Sequence, residues 1–188
     1  KEFDYEVIRF FMLSAHYRNP INFSKDLMEQ AKSGLERLYT CLDNLHFLKK
    51  NAQDRAMNES EIELSNKLNQ YKQNYIAAMD DDLNTADAIA ALFEMVREIN
   101  ANITSVSNSS VVIIEFAENL LKELGDVLGI LQKTKNDSLD ADIEELIEKR
   151  QQARKEKNWA LADQIRDQLK DIGIILEDTP QRVKWRRM

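Results

Sequence analysis

EKRQQARKEKNWALADQIRDQL, Glu148 to Leu169, reads as two helices joined at Asn158. At about 100° per residue, Leu161, Ile165, Leu169 and Ile172 fall within one quadrant of the second helix, with Ala162 beside them. This is its expected core face. Trp159, Asp163 and Arg166 are spaced i, i+4, i+7 and are expected on the opposite side, followed by Lys170. In the first helix Ile143, Leu146 and Ile147 define a buried face, and its continuation is Arg150, Ala153, Arg154 and Lys157. The stripe turns from apolar to basic, and arginine stems can cover a neighbouring helix while their heads emerge at its edge.

Two explanations fit this pattern. In one, Trp159 folds back from the first helical turn onto the preceding helix, and Arg154 and Asp163 form a structural ion pair. In the other, the tryptophan offers a flat π surface flanked by a carboxylate acceptor and cations. An unpaired base calls for that set: an aromatic or guanidinium plane to stack on, hydrogen bonds at its edge, and positive charge for its phosphate.

Outward from this stretch, QKTKNDSL at 132–139 is polar and unpatterned and reads as a linker. It divides the chain into residues 1–134 and 135–188. Downstream, Gly173 suits the left-handed residue that ends a helix. IILEDTPQRVKWRR then alternates around Thr179-Pro180-Gln181, as a short β-hairpin does.

Upstream lie five expected helices. Asp4 caps the first, which runs to about Tyr17 with Val7, Ile8, Phe11, Met12 and Ala15 on one face. Asn19-Pro20 stops it. Ser24 opens the second, whose stripe is Leu27, Ala31, Leu35, Leu38, Leu42, Leu45 and Leu48. After a polar loop at 51–59, a third helix fits 60–79 through Ile62, Leu64, Leu68, Tyr71, Tyr75 and Ile76. MDDDLNTADAIAAL then offers Asp82, Asn84 and Thr85 as cap candidates. The helix behind them carries Ile89, Leu92, Phe93, Val96, Ile99 and Ile103, and a fifth spans 111–131. Short connections favour an antiparallel bundle. The expected fold is therefore mainly α: about five bundled helices, then a small domain of two helices and a hairpin.

Only four Gly and two Pro occur in 188 residues, which favours helix. The net charge of −7 argues against a surface that attracts polyanions everywhere. The charge is uneven: 15 Lys+Arg face 23 Asp+Glu in residues 1–140, against 11 and 10 in 141–188. A local nucleic-acid site at the basic end is compatible with that balance. On the bundle, Arg18, Lys32 and Lys49 are RNA-contact candidates by charge alone, beside the plainer reading of a solvated face.

Cys41 is the sole cysteine, which suits a reducing, cytoplasmic compartment. No apolar run approaches membrane-spanning length. The chain starts at Lys1 rather than Met, so a piece of a longer protein is expected. His16 and His46 lack partners at metal-ligand spacing, and a helix-end role is expected for His16. The run Asp80–Asp82 reads as helix capping rather than a cation site. No nucleophilic arrangement or phosphate loop is visible, so no catalytic, cofactor or metal residues are assigned.

SAHYRNPINFS, MDDDLNTADA and RQQARKEKNWALADQIRDQL with GIILEDTPQ and a later Trp follow one another in an order that resembles bacterial cysteinyl-tRNA synthetase. The resemblance covers essentially the whole chain. It implies a DALR-type helical bundle followed by a small anticodon-binding domain that recognises the GCA anticodon of cysteine tRNA. Positions matching the family's anticodon contacts are Arg154, Trp159, Asp163, Arg166 and Asp178. The family's HIGH-like and KMSKS-like signatures and its zinc-binding cysteines have no counterpart here. The resemblance thus assigns ATP, Mg and Zn, and the ligation of cysteine to tRNA, to a catalytic domain outside these residues. A monomer with no membrane association is expected. One departure stands in the hairpin: the family has Gly after Pro-Gln, and this chain has Arg182, where glycine would permit positive φ.

KNWALADQIRDQL also resembles the helical hairpin at the C-terminus of bacterial excision-repair nuclease subunits, which binds a partner protein. That resemblance leaves DDDLNTADA and the five-helix bundle without a counterpart. Protein interaction is the alternative function.

Overall fold

The computed structural model describes residues 3–104, 107–133, 137–156, 158–178 and 183–187, with the backbone alone at 137–142, 144–145, 177–178 and 183–187. The fold is mainly α. Its elements run α1 (Tyr5–Leu13), α2 (Lys25–Lys49), α3 (Glu59–Asp80), α4 (Thr85–Asn102), α5 (Val111–Val127), α6 (Asp137–Lys155), α7 (Trp159–Asp171), β1 (Ile174–Asp178) and β2 (Val183–Arg187). They divide into two compact units, residues 1–132 and 133–188.

In the helical unit, each of the five helices starts on a polar cap. Asp4, Ser24, Asn58, Asn84 and Ser110 each accept from a backbone N–H of the first turn. Asn58 and Glu61 form a reciprocal capping box. The buried faces join in one core, to which α2 gives Met28, Ala31, Leu35, Leu38, Cys41 and Leu45. Burial pushes the Cys41 thiol up to about 12, which keeps it protonated and unreactive.

Several expected stripes are rotated. Ile8, Met12, Leu27, Ile62 and Ile76 are at least partly exposed, whereas Phe10, Met28 and Cys41 are buried. On α1 the larger aromatic takes the core position, because Phe10 meets Phe93 edge-to-face with ring centres 6.2 Å apart. Helix α5 ends at Val127 rather than 131, since Gly129 and Leu131 adopt left-handed φ of 63° and 62°. Residues 137–139, read as linker, belong to α6.

The polar loop after α2 is built into the unit. Gln53 donates its N–H to Ser109 O (3.1 Å), and its carbonyl accepts from Val111 N (2.9 Å). Glu61 gathers this corner, accepting from Arg55 (2.7 and 3.1 Å), Asn58 N (3.0 Å) and Ser110 N (2.8 Å). Burial alone pushes its carboxyl upward, but those donors together pull it down to about 2.

The aspartate run has a different task from the one expected. Asn84 caps α4, while Asp80 ends α3 and Asp81 follows as its C-cap. Asp82, at φ 56°, accepts from Tyr17 Oη (2.9 Å) and pairs with Arg18 (2.7 Å). His16 lies beyond the end of α1, where its ring stacks on Tyr17. Arg18 and Lys49 are thus tied to carboxylates, Lys49 to Glu115 at 2.8 Å.

The small unit packs α6 and α7 against the hairpin around Ile143, Ile147, Ile165, Leu169 and Ile174. The strands pair antiparallel, from Ile174 opposite Arg187 to Asp178 opposite Val183. Gly173 has φ 81°, a left-handed value that glycine adopts without strain. The turn with Thr179, Pro180, Gln181 and Arg182 lies outside the described residues.

Candidate nucleic-acid interface

One residue sets the geometry between α6 and α7. Asn158 donates its N–H to Ala153 O (2.8 Å), a six-to-one bond of the kind that closes a helix C-terminus. Its side chain accepts from Leu161 N (3.2 Å), and its carbonyl accepts from Ala162 N (3.2 Å). The same residue therefore ends one helix and begins the next, and Trp159 becomes the first residue of α7.

The buried face of α7 is Ala162, Ile165 and Leu169. Leu161 is 42% and Ile172 61% exposed, which corrects the expected core face. The cause is local. Two helices converging on a junction this short leave room only for small side chains, and Ala153 and Ala162 are buried on either side of it. A leucine is displaced to the flank.

This rotation also moves the tryptophan face. Taking about 100° per residue, Trp159, Asp163, Arg166 and Lys170 centre roughly 90° from the buried face, on a flank rather than opposite it. Trp159 is 59% exposed. Asp163 and Arg166 are exposed and, among the described residues, form no ion pair. The structural Arg154–Asp163 pair is thus not made. On α6 the basic stripe splits: Arg150 is buried and Arg154 is exposed.

The other flank of α7 forms a groove of about 380 Å³ with α6, lined by Leu146, Gln152, Glu156, Leu161, Gln164 and Gln168 among others. It defines sides for both helices. Arg154 stands about 160° around α6 from Gln152 and Glu156, and Trp159 about 180° around α7 from Gln168. Arg154 therefore shares the flank of Trp159, Asp163 and Arg166. Sequence reasoning missed the groove because it placed Leu161 in the core. Asp178 ends β1, and its side chain lies outside the described atoms.

The resulting surface carries an exposed indole, a carboxylate without an ionic partner among the described residues, and the cations Arg154, Arg166 and Lys170, of which Arg154 has a contact of its own. Stacking, edge hydrogen bonding and phosphate attraction are the interactions it can offer. Among the described residues, no group of three His, Cys, Asp or Glu side chains could hold a metal ion, and no helix is long and apolar enough to cross a membrane.

Residues 74–132 match the DALR domain, and residues 136–186 match the cysteinyl-tRNA ligase anticodon binding domain. The first match spans the end of α3 through α5, and the second spans the two-helix and hairpin unit. The chain belongs to the cysteinyl-tRNA synthetase family, of which it carries the DALR and anticodon-binding domains, and its role includes binding tRNA.

Proposed function

We propose that the Trp159 flank reads the GCA anticodon of cysteine tRNA. The supporting observation is an indole 59% exposed at the start of α7, beside Asp163 and Arg166 that make no ion pair among the described residues. Trp159 stacks on an unpaired base. Asp163 accepts from the imino and amino groups that guanine presents on one edge. Arg154 and Arg166 meet phosphate or stack beside the base, and Asp178 contributes from the hairpin. The helical unit supports the body of the tRNA. The chain acts as a cytoplasmic monomer, and these residues do not themselves activate cysteine. ATP, Mg and Zn serve the adenylating part of the parent ligase.

The test is a titration with two tRNA transcripts, one bearing GCA and one with its first anticodon base changed, at two salt concentrations. A preference of about tenfold or more is expected, as befits hydrogen bonds to a charged group. Asp163→Ala abolishes it. Equal binding of both transcripts with a steep salt dependence would leave only backbone attraction and sink the assignment of base reading. Absence of RNA binding, with a protein bound in the Leu161–Gln168 groove, would select the interaction-module reading.

A further inference from the structure

A cavity of about 890 Å³ opens between α1, α2 and α4 in the helical unit, and the anticodon reading makes no use of it. Phe10 and Phe11 of α1 form one wall, Leu27 and Ala31 of α2 another, and Ile89 and Phe93 of α4 the third. The sequence accounts for the open space. Gly34 lines it from the middle of α2, and a Cβ there would stand 3.0 Å from Phe10 and 3.5 Å from Phe93. Glycine is unfavourable inside a helix. Here it leaves the edges of two rings uncovered.

A cation enters this apolar space. Arg37 lines the cavity, with its guanidinium 4.8 Å from the centre of the Phe93 ring. Arg18, Lys49, Lys67 and Lys72 of the same unit are each paired with a carboxylate. Arg37 has no carboxylate or hydrogen-bond partner among the described residues. An aromatic face attracts a guanidinium without neutralising its charge. Its N–H donors therefore stay available to an anion, which they can meet as a planar fork. The acid that lines the cavity, Glu29, stands eight residues earlier on α2, about 12 Å along the axis. It disfavours a second negative charge at that end. RNA, charged at every nucleotide, is poorly matched to one cation and an opposing acid. The volume instead lies in the range of small-molecule pockets, which are mainly apolar, carry a few placed polar groups and occur between the helices of bundles. We infer that this cavity binds a small organic anion, with a single acidic head on Arg37 and an aromatic or branched apolar body over Phe10, Ile89 and Phe93. The inference is independent of the anticodon reading.

The test titrates the whole chain with two probes. One is anilinonaphthalene sulfonate, an aromatic body with a single sulfonate. The other is uncharged N-phenylnaphthylamine, which has the same rings without the sulfonate. The wild-type chain is expected to bind the sulfonate and to melt at a higher temperature in its presence, since a ligand of the native state stabilises it. Arg37→Gln should weaken the sulfonate about tenfold or more, as loss of hydrogen bonds to a charged group does, and leave the uncharged probe nearly unchanged. Lys32→Gln removes a cation of α2 that does not line the cavity and should change neither. Ala90→Phe, at an exposed lining position of α4, should fill the space and weaken both. Equal effects of Arg37→Gln and Lys32→Gln would reduce the binding to surface charge and overturn the proposal, as would absence of binding to the wild-type chain. Displacement of the sulfonate by a tRNA transcript would assign the cavity to RNA instead. Binding to this chain but not to the parent ligase would mean that the adenylating part covers the cavity, which also overturns the ligand site.

Discussion

The two units of this chain treat their surface charges differently. In the helical unit Arg18 pairs with Asp82, Lys49 with Glu115, Lys67 with Glu98 and Lys72 with Glu123. Each exposed pair adds little stability. Together, though, they tie cations to local carboxylates in the more acidic part of the chain. In the small unit Asp163 and Arg166, among the described residues, make no such pair, and they flank an exposed indole. A surface whose charges satisfy one another offers a polyanion less than one whose charges remain available. On the reading proposed above, the contrast is what leaves a chain of net charge −7 with charges available to RNA at that flank.

The cores differ as well, and the largest predicted effect breaks the comparison there. Leu169 is fully buried, in a cluster that among the described residues also holds Ile143, Ile147, Ile165 and Ile174. Leu169→Ala should cost about 2–5 kcal/mol, enough to unfold a domain of that size. Both tryptophans, Trp159 and Trp185, lie in the small unit, so their fluorescence reports on it alone. Urea titration should show the fluorescence transition moved to lower denaturant while the far-ultraviolet helical signal largely persists. Leu121→Ala, in the large core, should do the reverse. Coincident transitions in both variants would show that the units unfold as one.

A second prediction sharpens the difference through pH. Glu61 is buried, and its donors hold it at about 2, below the ordinary 4.5. A depressed folded-state value means that the stabilisation is complete above about pH 4.5. It is lost as pH falls through the interval down to about 2. The contribution is on the order of 1–3 kcal/mol. Thermal melts between pH 5 and pH 2 should show the helical unit losing stability, with a shallower dependence in Glu61→Gln. An unchanged slope in that variant would remove Glu61 as the source.

These elements differ in how far the sequence discloses them. The helices were legible because caps and apolar periodicity coincide: Asp4, Ser24 and Asn84 stand where backbone donors need them, whereas the caps Asn58 and Ser110 lie inside stretches read as loop. The identity of the buried face was less legible. Ile8 and Leu161 have the right polarity for a core, but Phe10–Phe93 packing and the Asn158 junction turned their helices by part of a turn. Spacing along one helix carries no information about the width of the gap beside it. Trp159, Asp163 and Arg166 emerged as a common face because their i, i+4, i+7 relation is internal to α7. The bond from Leu131 N to the Glu6 carboxylate joins residues far apart in sequence, and no local pattern signals it.

A smaller effect concerns the joint between the two parts of the flank. Asn158→Ala removes the side-chain cap of α7 while leaving both backbone bonds of that residue in place. The cost should be about 1 kcal/mol, read from tryptophan fluorescence in urea. Asn158→Asp retains an acceptor oxygen and should lie within a few tenths of wild type. If both variants behave alike, the cap does not hold the junction, and the placement of Trp159 depends on core packing.

The smallest stability effect belongs to the residue with the largest expected effect on binding. Trp159 is mostly exposed, so Trp159→Ala should alter unfolding by less than about 0.5 kcal/mol. Base stacking on an aromatic side chain is worth about 1–3 kcal/mol, or roughly a fivefold to hundredfold loss of tRNA affinity on truncation. Trp159→Phe retains a stacking face and should recover most of that loss, and neither variant should change which anticodon is preferred, because stacking tolerates every base. Asp163→Ala should do the converse, removing preference with a smaller change in affinity for the altered transcript. Full tRNA affinity in Trp159→Ala would mean that the indole is exposed for another purpose. A melt lowered as much as the affinity would mean that Trp159 packs in solution against a surface absent from this structure. Only the combination of near-wild-type folding and weakened, still selective binding fits a side chain left in water to meet a base.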